Sequence, residues 1–208
     1  MYKLLCLTLC CLLSVGVLAN DDITKWMPPT NKKGSWNFPS SPRAQQPPKV
    51  SKPGNKTHSK SSQLPSEFFS CKFASTTMMQ AQRLLSDYNP TIQDKHTLLV
   101  ENLTFGGLTH YVSELYFLDD KFCGISFYSI LPQKNNAIQV RDYIYSVMSA
   151  HYTMTRKDID GFKCYVTNDK RRVSSLVTKE YTAEDGSKFY VVTWAFYDAG
   201  YIQSMTKN

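Results

Sequence analysis

The feature that most constrains this chain is an abrupt change of character near residue 66. Eight of its ten prolines lie before that point, in "NDDITKWMPPTNKKGSWNFPSSPRAQQPPKVSKPGNKTHSKSSQLPS", a stretch with almost no aliphatic side chains. Such a composition cannot bury enough apolar surface to offset the entropy of ordering. Residues 20–66 are therefore expected to form a disordered basic linker with local polyproline II character. Any packed core has to come from residues 67–208, a length typical of one domain.

Ahead of the linker stands "MYKLLCLTLCCLLSVGVLAN". Lys3 supplies a positive start, Leu4 to Val17 an apolar run, and Val17-Leu18-Ala19 a small-residue cleavage site. The run is too short to cross a bilayer comfortably, which takes about 20 residues. Residues 1–19 are read as a signal peptide, with no transmembrane span after cleavage. The protein is expected to be exported: periplasmic, cell-surface or secreted.

The net charge of +7 suggests a nucleic-acid binder until it is divided along the chain. Residues 20–66 hold eight Lys or Arg against Asp21 and Asp22, whereas residues 67–208 hold fifteen basic and fifteen acidic side chains. The domain is neutral, so nucleic acid is not an expected partner. The basic tail could instead contact anionic polymers at a cell surface, with Trp26, Trp36 and Phe38 as a linear anchor.

Within the domain, "TTMMQAQRLLSDYNP" sets Met78, Ala81, Leu84, Leu85 and Tyr88 at helical spacing, with a Thr77/Gln80 capping box and an Asn89-Pro90 stop. "NNAIQVRDYIYSVMSAHY" repeats the arrangement, with Asn136 as expected cap and Val140, Ile144, Val147 and Met148 as the stripe. "HTLLVENLTF", "THYVSELYFL", "KFCGISFYSI", "GFKCYVT", "RVSSLVTKEY" and "KFYVVTWAFYD" read as strands, with turns at Asp119-Asp120 and Glu184-Asp185-Gly186. The expected fold is α+β: a single antiparallel sheet of about six strands, two helices on one face, in the order helix, three strands, helix, three strands.

That order suggests an imperfect duplication. "LTFGG", then "LYFLDDKFCGISFYS", then an amphipathic helix resembles small secreted bacterial proteins of the β-lactamase-inhibitor-protein-like type, over about Phe105 to Met148. The resemblance implies helical units on one antiparallel sheet and action by binding rather than catalysis.

Little in the domain points to chemistry. Period-two reading places Cys123 with Ile125 and Phe127 on one face, opposite Phe122 and Tyr128. Cys71 and Cys164 also sit between apolar neighbours, so the three cysteines read first as core. One disulfide with a spare thiol is the alternative for an exported protein. There is no Cys-x-x-Cys, no histidine pair with ligand spacing, and "RKDIDGF" lacks the ligands of a calcium loop. Neither metal nor cofactor is expected.

The functional expectation is an exported non-enzymatic binding, inhibitory or assembly module of the bacterial envelope or exterior, holding a protein or glycan partner. The alternatives are a glycan-binding module using sheet aromatics, and an enzyme with a site assembled from scattered residues. The strand "KFYVVTWAFYD" is apolar on both faces, and two helices cover only one side of a sheet. An open aromatic face of Phe122, Tyr128, Tyr190 and Trp194 is the candidate partner surface.

Overall fold

The computed structural model describes residues 63–200, apart from residues 160, 161, 170 and 184 and the side chains flanking 160–161. The expected signal peptide and most of the expected linker, residues 1–62, lie outside the described residues, as does Glu184 of the expected second turn. Leu64 already belongs to the core: its N–H donates to Asp169 Oδ2 at 2.8 Å and its carbonyl accepts from Arg172.

The chain runs β1 (Glu67–Phe68), β2 (Cys71–Lys72), α1 (Met78–Leu84), a 3₁₀ turn (Ser86–Tyr88), β3 (Thr91–Ile92), β4 (Thr97–Glu101), β5 (Thr104–Phe105), β6 (Leu108–Thr109), β7 (Val112–Leu118) and β8 (Lys121–Leu131). It continues with α2 (Lys134–His151), β9 (Thr155–Ile159), β10 (Phe162–Asn168), β11 (Arg172–Thr182) and β12 (Lys188–Asp198). The main sheet has eight antiparallel strands in the order β3-β4-β7-β8-β12-β11-β10-β9, and β1-β2 and β5-β6 form two small hairpins.

This corrects the expected six-strand α+β sheet. The molecule is mostly β, and each helix is followed by four strands of the main sheet rather than three. The two strands that sequence reading missed, β3 and β9, are the sheet edges. β3 is only two residues long and both are exposed; β9 reads "TRKDI" and has no apolar alternation. Edge strands need no apolar face, so they leave no period-two signal.

The helices also depart from expectation. α1 ends at Leu84, short of the expected stop at Asn89-Pro90. Its capping box is present: the Thr77 side chain accepts from the Gln80 N–H, and Gln80 Oε1 accepts from the Thr77 N–H. The chain then tightens into the 3₁₀ turn and stops at Asn89, held at φ 49° ahead of Pro90. α2 begins earlier than its apolar stripe suggests, with Gln133 rather than Asn136 as its cap and no side-chain capping bond.

The sheet is built from two similar halves. In the first, Val112-Ser113-Glu114-Leu115 of β7 pairs with Tyr128, Phe127, Ser126 and Ile125 of β8. In the second, Val173-Ser174-Ser175-Leu176 of β11 pairs with Tyr197, Phe196, Ala195 and Trp194 of β12. The same Val-Ser-x-Leu lies against the same Phe-Tyr, position for position. β8 and β12 then pair with each other so that Ser126 opposes Ala195, its own counterpart. A pseudo-twofold axis therefore passes between these two residues.

One face of the sheet packs on Ala81 and Leu85 of the α1 region and on Ala137, Ile144 and Met148 of α2, around Leu98, Leu115, Phe122, Ile125, Phe127, Leu176, Val192, Trp194 and Phe196. Phe68 and Phe105 from the small hairpins fill the same layer; Phe105 stacks on Phe127 at 4.6 Å, with an interplanar angle of 8°. The opposite face holds a second apolar cluster of Leu99, Val112, Tyr128, Phe189 and Val191.

Candidate interaction surface

Phe122, Tyr128, Tyr190 and Trp194 do not assemble as one surface. A β-bulge is the reason: Tyr116 pairs with Gly124 while Phe117 pairs with Phe122, so Cys123 is an extra residue in β8. The bulge reverses the alternation and turns Phe122 to the helix side with Ile125 and Phe127, where it is fully buried. Trp194, opposite Phe127, and Tyr190, opposite Leu131, are on that side too, and Trp194 is only 2% exposed. Tyr128 alone faces the other way, and it is 5% exposed.

Tyr128 instead belongs to a polar network beside the pseudo-twofold axis. Glu114 Oε2 accepts from Tyr128 Oη at 2.6 Å and from Tyr116 Oη, and the two phenol oxygens lie 3.0 Å apart. Across the axis, Tyr197 Oη and Ser126 Oγ are 2.8 Å apart. Burial pushes both Tyr116 and Tyr128 far above the usual phenol range, with Tyr128 and Glu114 adding at Tyr116, and Glu114 and Tyr197 adding at Tyr128 against an opposing hydrogen bond from Tyr116. Their protons stay in place, so both act as fixed donors to a buried carboxylate. No sequence pattern announced this network: Glu114 sits inside an apolar run, and only the strand register brings Tyr116 and Tyr128 beside it.

His110 lies in the loop ahead of β7 and is fully buried. Its Nδ1 is 3.2 Å from Ser129 Oγ and its Nε2 3.3 Å from the Phe105 carbonyl. A carbonyl only accepts, so Nε2 carries the proton and Nδ1 accepts from the serine. Burial lowers the His110 pKa to about 4, with the Phe105 hydrogen bond opposing the shift. The neutral ring fastens the β5–β6 hairpin over Trp194. Gly106 there has φ +60°, and a Cβ on it would meet the indole at 2.5 Å.

The three cysteines of the domain are buried, and none is bonded to another. Burial, with Glu67 adding, raises the Cys71 thiol to about 11, and burial raises Cys123 further, with Asp198 adding. Cys123 donates to the Tyr116 carbonyl at 3.2 Å. Thiols in this state are poor nucleophiles. Among the described residues no group of three or more His, Cys, Asp or Glu is placed to hold a metal, and no helix is long and apolar enough to cross a membrane.

The exposed apolar side chains tell a different story. Met79, Leu84, Tyr88 and Ile92 are 63%, 50%, 40% and 52% exposed, and they occupy one stretch from α1 to the edge strand β3. One of them, Tyr88, lines a half-open groove of about 600 Å³. One wall is Asp87, Tyr88, Asn89 and Thr91; the other is Leu99, Glu101 and Asn102 at the end of β4. No family model, curated protein or solved structure matches this chain.

Proposed function

We propose that the protein is an exported, non-enzymatic binding module that holds a protein partner along the β3 edge of its sheet. The observation behind this reading is the run of exposed apolar side chains from Met79 on the helix to Ile92 on the edge strand, with Tyr88 lining a groove at that edge. Surface apolar residues scattered singly need no explanation, whereas a run of them at an unpaired edge marks an interaction site. The groups most capable of chemistry lie elsewhere, in positions where burial holds His110 neutral and Tyr116 and Tyr128 protonated.

The test is a photo-reactive amino acid placed at position 92 of the full chain in its native cells, with the same probe at position 155 on the far edge as control. A discrete adduct at 92 but not at 155, identified by mass spectrometry and lost on Leu84→Lys with Tyr88→Lys, supports the proposal. No adduct at 92, or the same adducts at both edges, overturns it.

A further inference from the structure

The partner's chemistry can be read from the way β3 stops. Thr91 pairs with Leu99 and Ile92 with Leu98, so the next position outward along β4, Val100, would face Pro90. The Gln93 N–H bonds the Thr97 carbonyl, so by alternation the nitrogen of Pro90 faces away from β4, and Asn89 before it turns the chain away at φ 49°. β4 nevertheless runs on through Val100 and Glu101, paired on its inner side with Ser113 and Val112 of β7. Among the described residues its outer side has no strand partner there. The groove is this missing length of strand, with Tyr88 on one wall and Leu99 on the other.

Its charge has one sign. Asp87 stands on one wall and Glu101 on the other, and the groove has no Lys or Arg in its lining. The far edge is the reverse: β9 carries Arg156 and Lys157. Cations on an edge strand discourage pairing with further strands, and this edge lacks them.

We infer that the groove takes an extended, positively charged peptide segment of a partner protein, which continues β3 as an added strand on the outer edge of β4. Its backbone lies opposite Val100 and bonds the outward N–H and carbonyl of Glu101, its cationic side chains meet Asp87 and Glu101, and its apolar side chains rest on Leu99 and Tyr88. Main-chain pairing supplies affinity in such a mode, and the flanking charges and pockets supply selection. The inference rests on the reading of this edge as the protein-binding surface.

The experiment uses the full chain and a labelled, end-blocked heptapeptide of alternating Lys and Val, followed by fluorescence anisotropy. Binding is expected to weaken as salt is raised, and to fall about tenfold or more in the Asp87→Lys, Glu101→Lys double variant. A Glu-Val peptide and a backbone N-methylated Lys-Val peptide should both fail to bind. Absence of Lys-Val binding, indifference to the double variant, or equal binding of the N-methylated peptide overturns the inference. Circular dichroism confirms that the variant is folded, and Ile92→Lys gives a second route to the same loss. If the adduct at position 92 forms with a partner that presents a helix or an uncharged surface, the binding-module reading stands and this inference alone fails.

Discussion

The two halves of the sheet begin from the same pattern and end in different states. Both place Val-Ser-x-Leu of a hairpin's first strand against Phe-Tyr of its second, and both follow a helix. In the second half the helix has 18 residues and is anchored by Ala137, Ile144 and Met148, and the edge strand β9 pairs along five residues of β10. In the first half the helix has seven residues with Met79 and Leu84 exposed, and the edge strand has two. The first half also has Glu114 where the second has Ser175, and Tyr116 where the second has Val177. The second half is thus finished as scaffold, while the first keeps an unpaired edge and a buried carboxylate. Where duplicated units diverge from a shared packing pattern, the divergence marks the part that scaffolding alone does not explain.

The strongest way to break this comparison is at the core both halves share. Trp194 and Ile125 are counterparts in the pattern, yet Trp194 also supports the β5–β6 hairpin of the first half through Phe105, 4.8 Å away, and through Gly106. Trp194→Ala should cost about 4 kcal/mol in a denaturant titration, and Ile125→Ala about 3 kcal/mol. A Trp194 cost below that of Ile125 would mean that the hairpin is not seated on the indole.

Next comes His110, whose counterpart by register is Arg171, an exposed residue. The folded pKa of about 4 lies below the ordinary 6.5, so folding favours the neutral ring. Its contribution is complete above pH 6.5 and is lost as pH falls from 6.5 toward 4, by up to about 3 kcal/mol. The groups that face the ring, Ser129 Oγ, the Phe105 carbonyl and the Phe127 ring, include no anion to hold a proton there. Urea titrations at pH 7 and pH 4.5 should show a smaller drop for His110→Gln than for the native chain. Equal drops would place the acid sensitivity in the carboxylates.

A smaller effect separates the two sides of the axis. Glu114→Ala removes the acceptor shared by Tyr116 and Tyr128 and should cost about 2 kcal/mol, because the two phenols can still bond to each other. Tyr128→Phe should cost less in the Glu114→Ala background than in the native chain, since the bond from Tyr128 to Glu114 is already gone. If the two losses simply add, the network is not a unit.

The six central strands, the capping box of α1 and the burial of the cysteines were legible because each rests on local signals: period two, a Thr-x-x-Gln spacing, apolar neighbours. What was not legible depends on pairing. The alternation of β8 breaks at Cys123, and no residue type there announces a bulge, so Phe122 was placed on the wrong face. The Phe-Tyr repeat of β8 and β12 stands in plain letters, but it becomes a symmetry only when Val112 and Val173 are set opposite Tyr128 and Tyr197. The groove was invisible for the same reason, since Asp87 and Glu101 line one groove only because the chain turns away from β4 at Asn89. A search for Val-Ser-x-Leu followed by Phe-Tyr would have found the duplication from sequence.

The least costly change offers the sharpest contrast between the edges. Ile92 is 52% exposed on a two-residue strand, so Ile92→Lys removes little buried surface and should leave stability within about 0.5 kcal/mol of the native chain. It does, however, give the β3 edge the kind of cation that β9 already has in Arg156 and Lys157. If the open edge is what distinguishes the first half, this one charge should make the two edges behave alike. Lys-Val peptide binding at the groove should then fall about tenfold with no change in melting temperature, through repulsion near the docking line. A variant that melts several degrees lower would show that Ile92 packs more than its exposure indicates. A stable variant that binds undiminished would show that the difference between the edges lies only in length, not in what they hold.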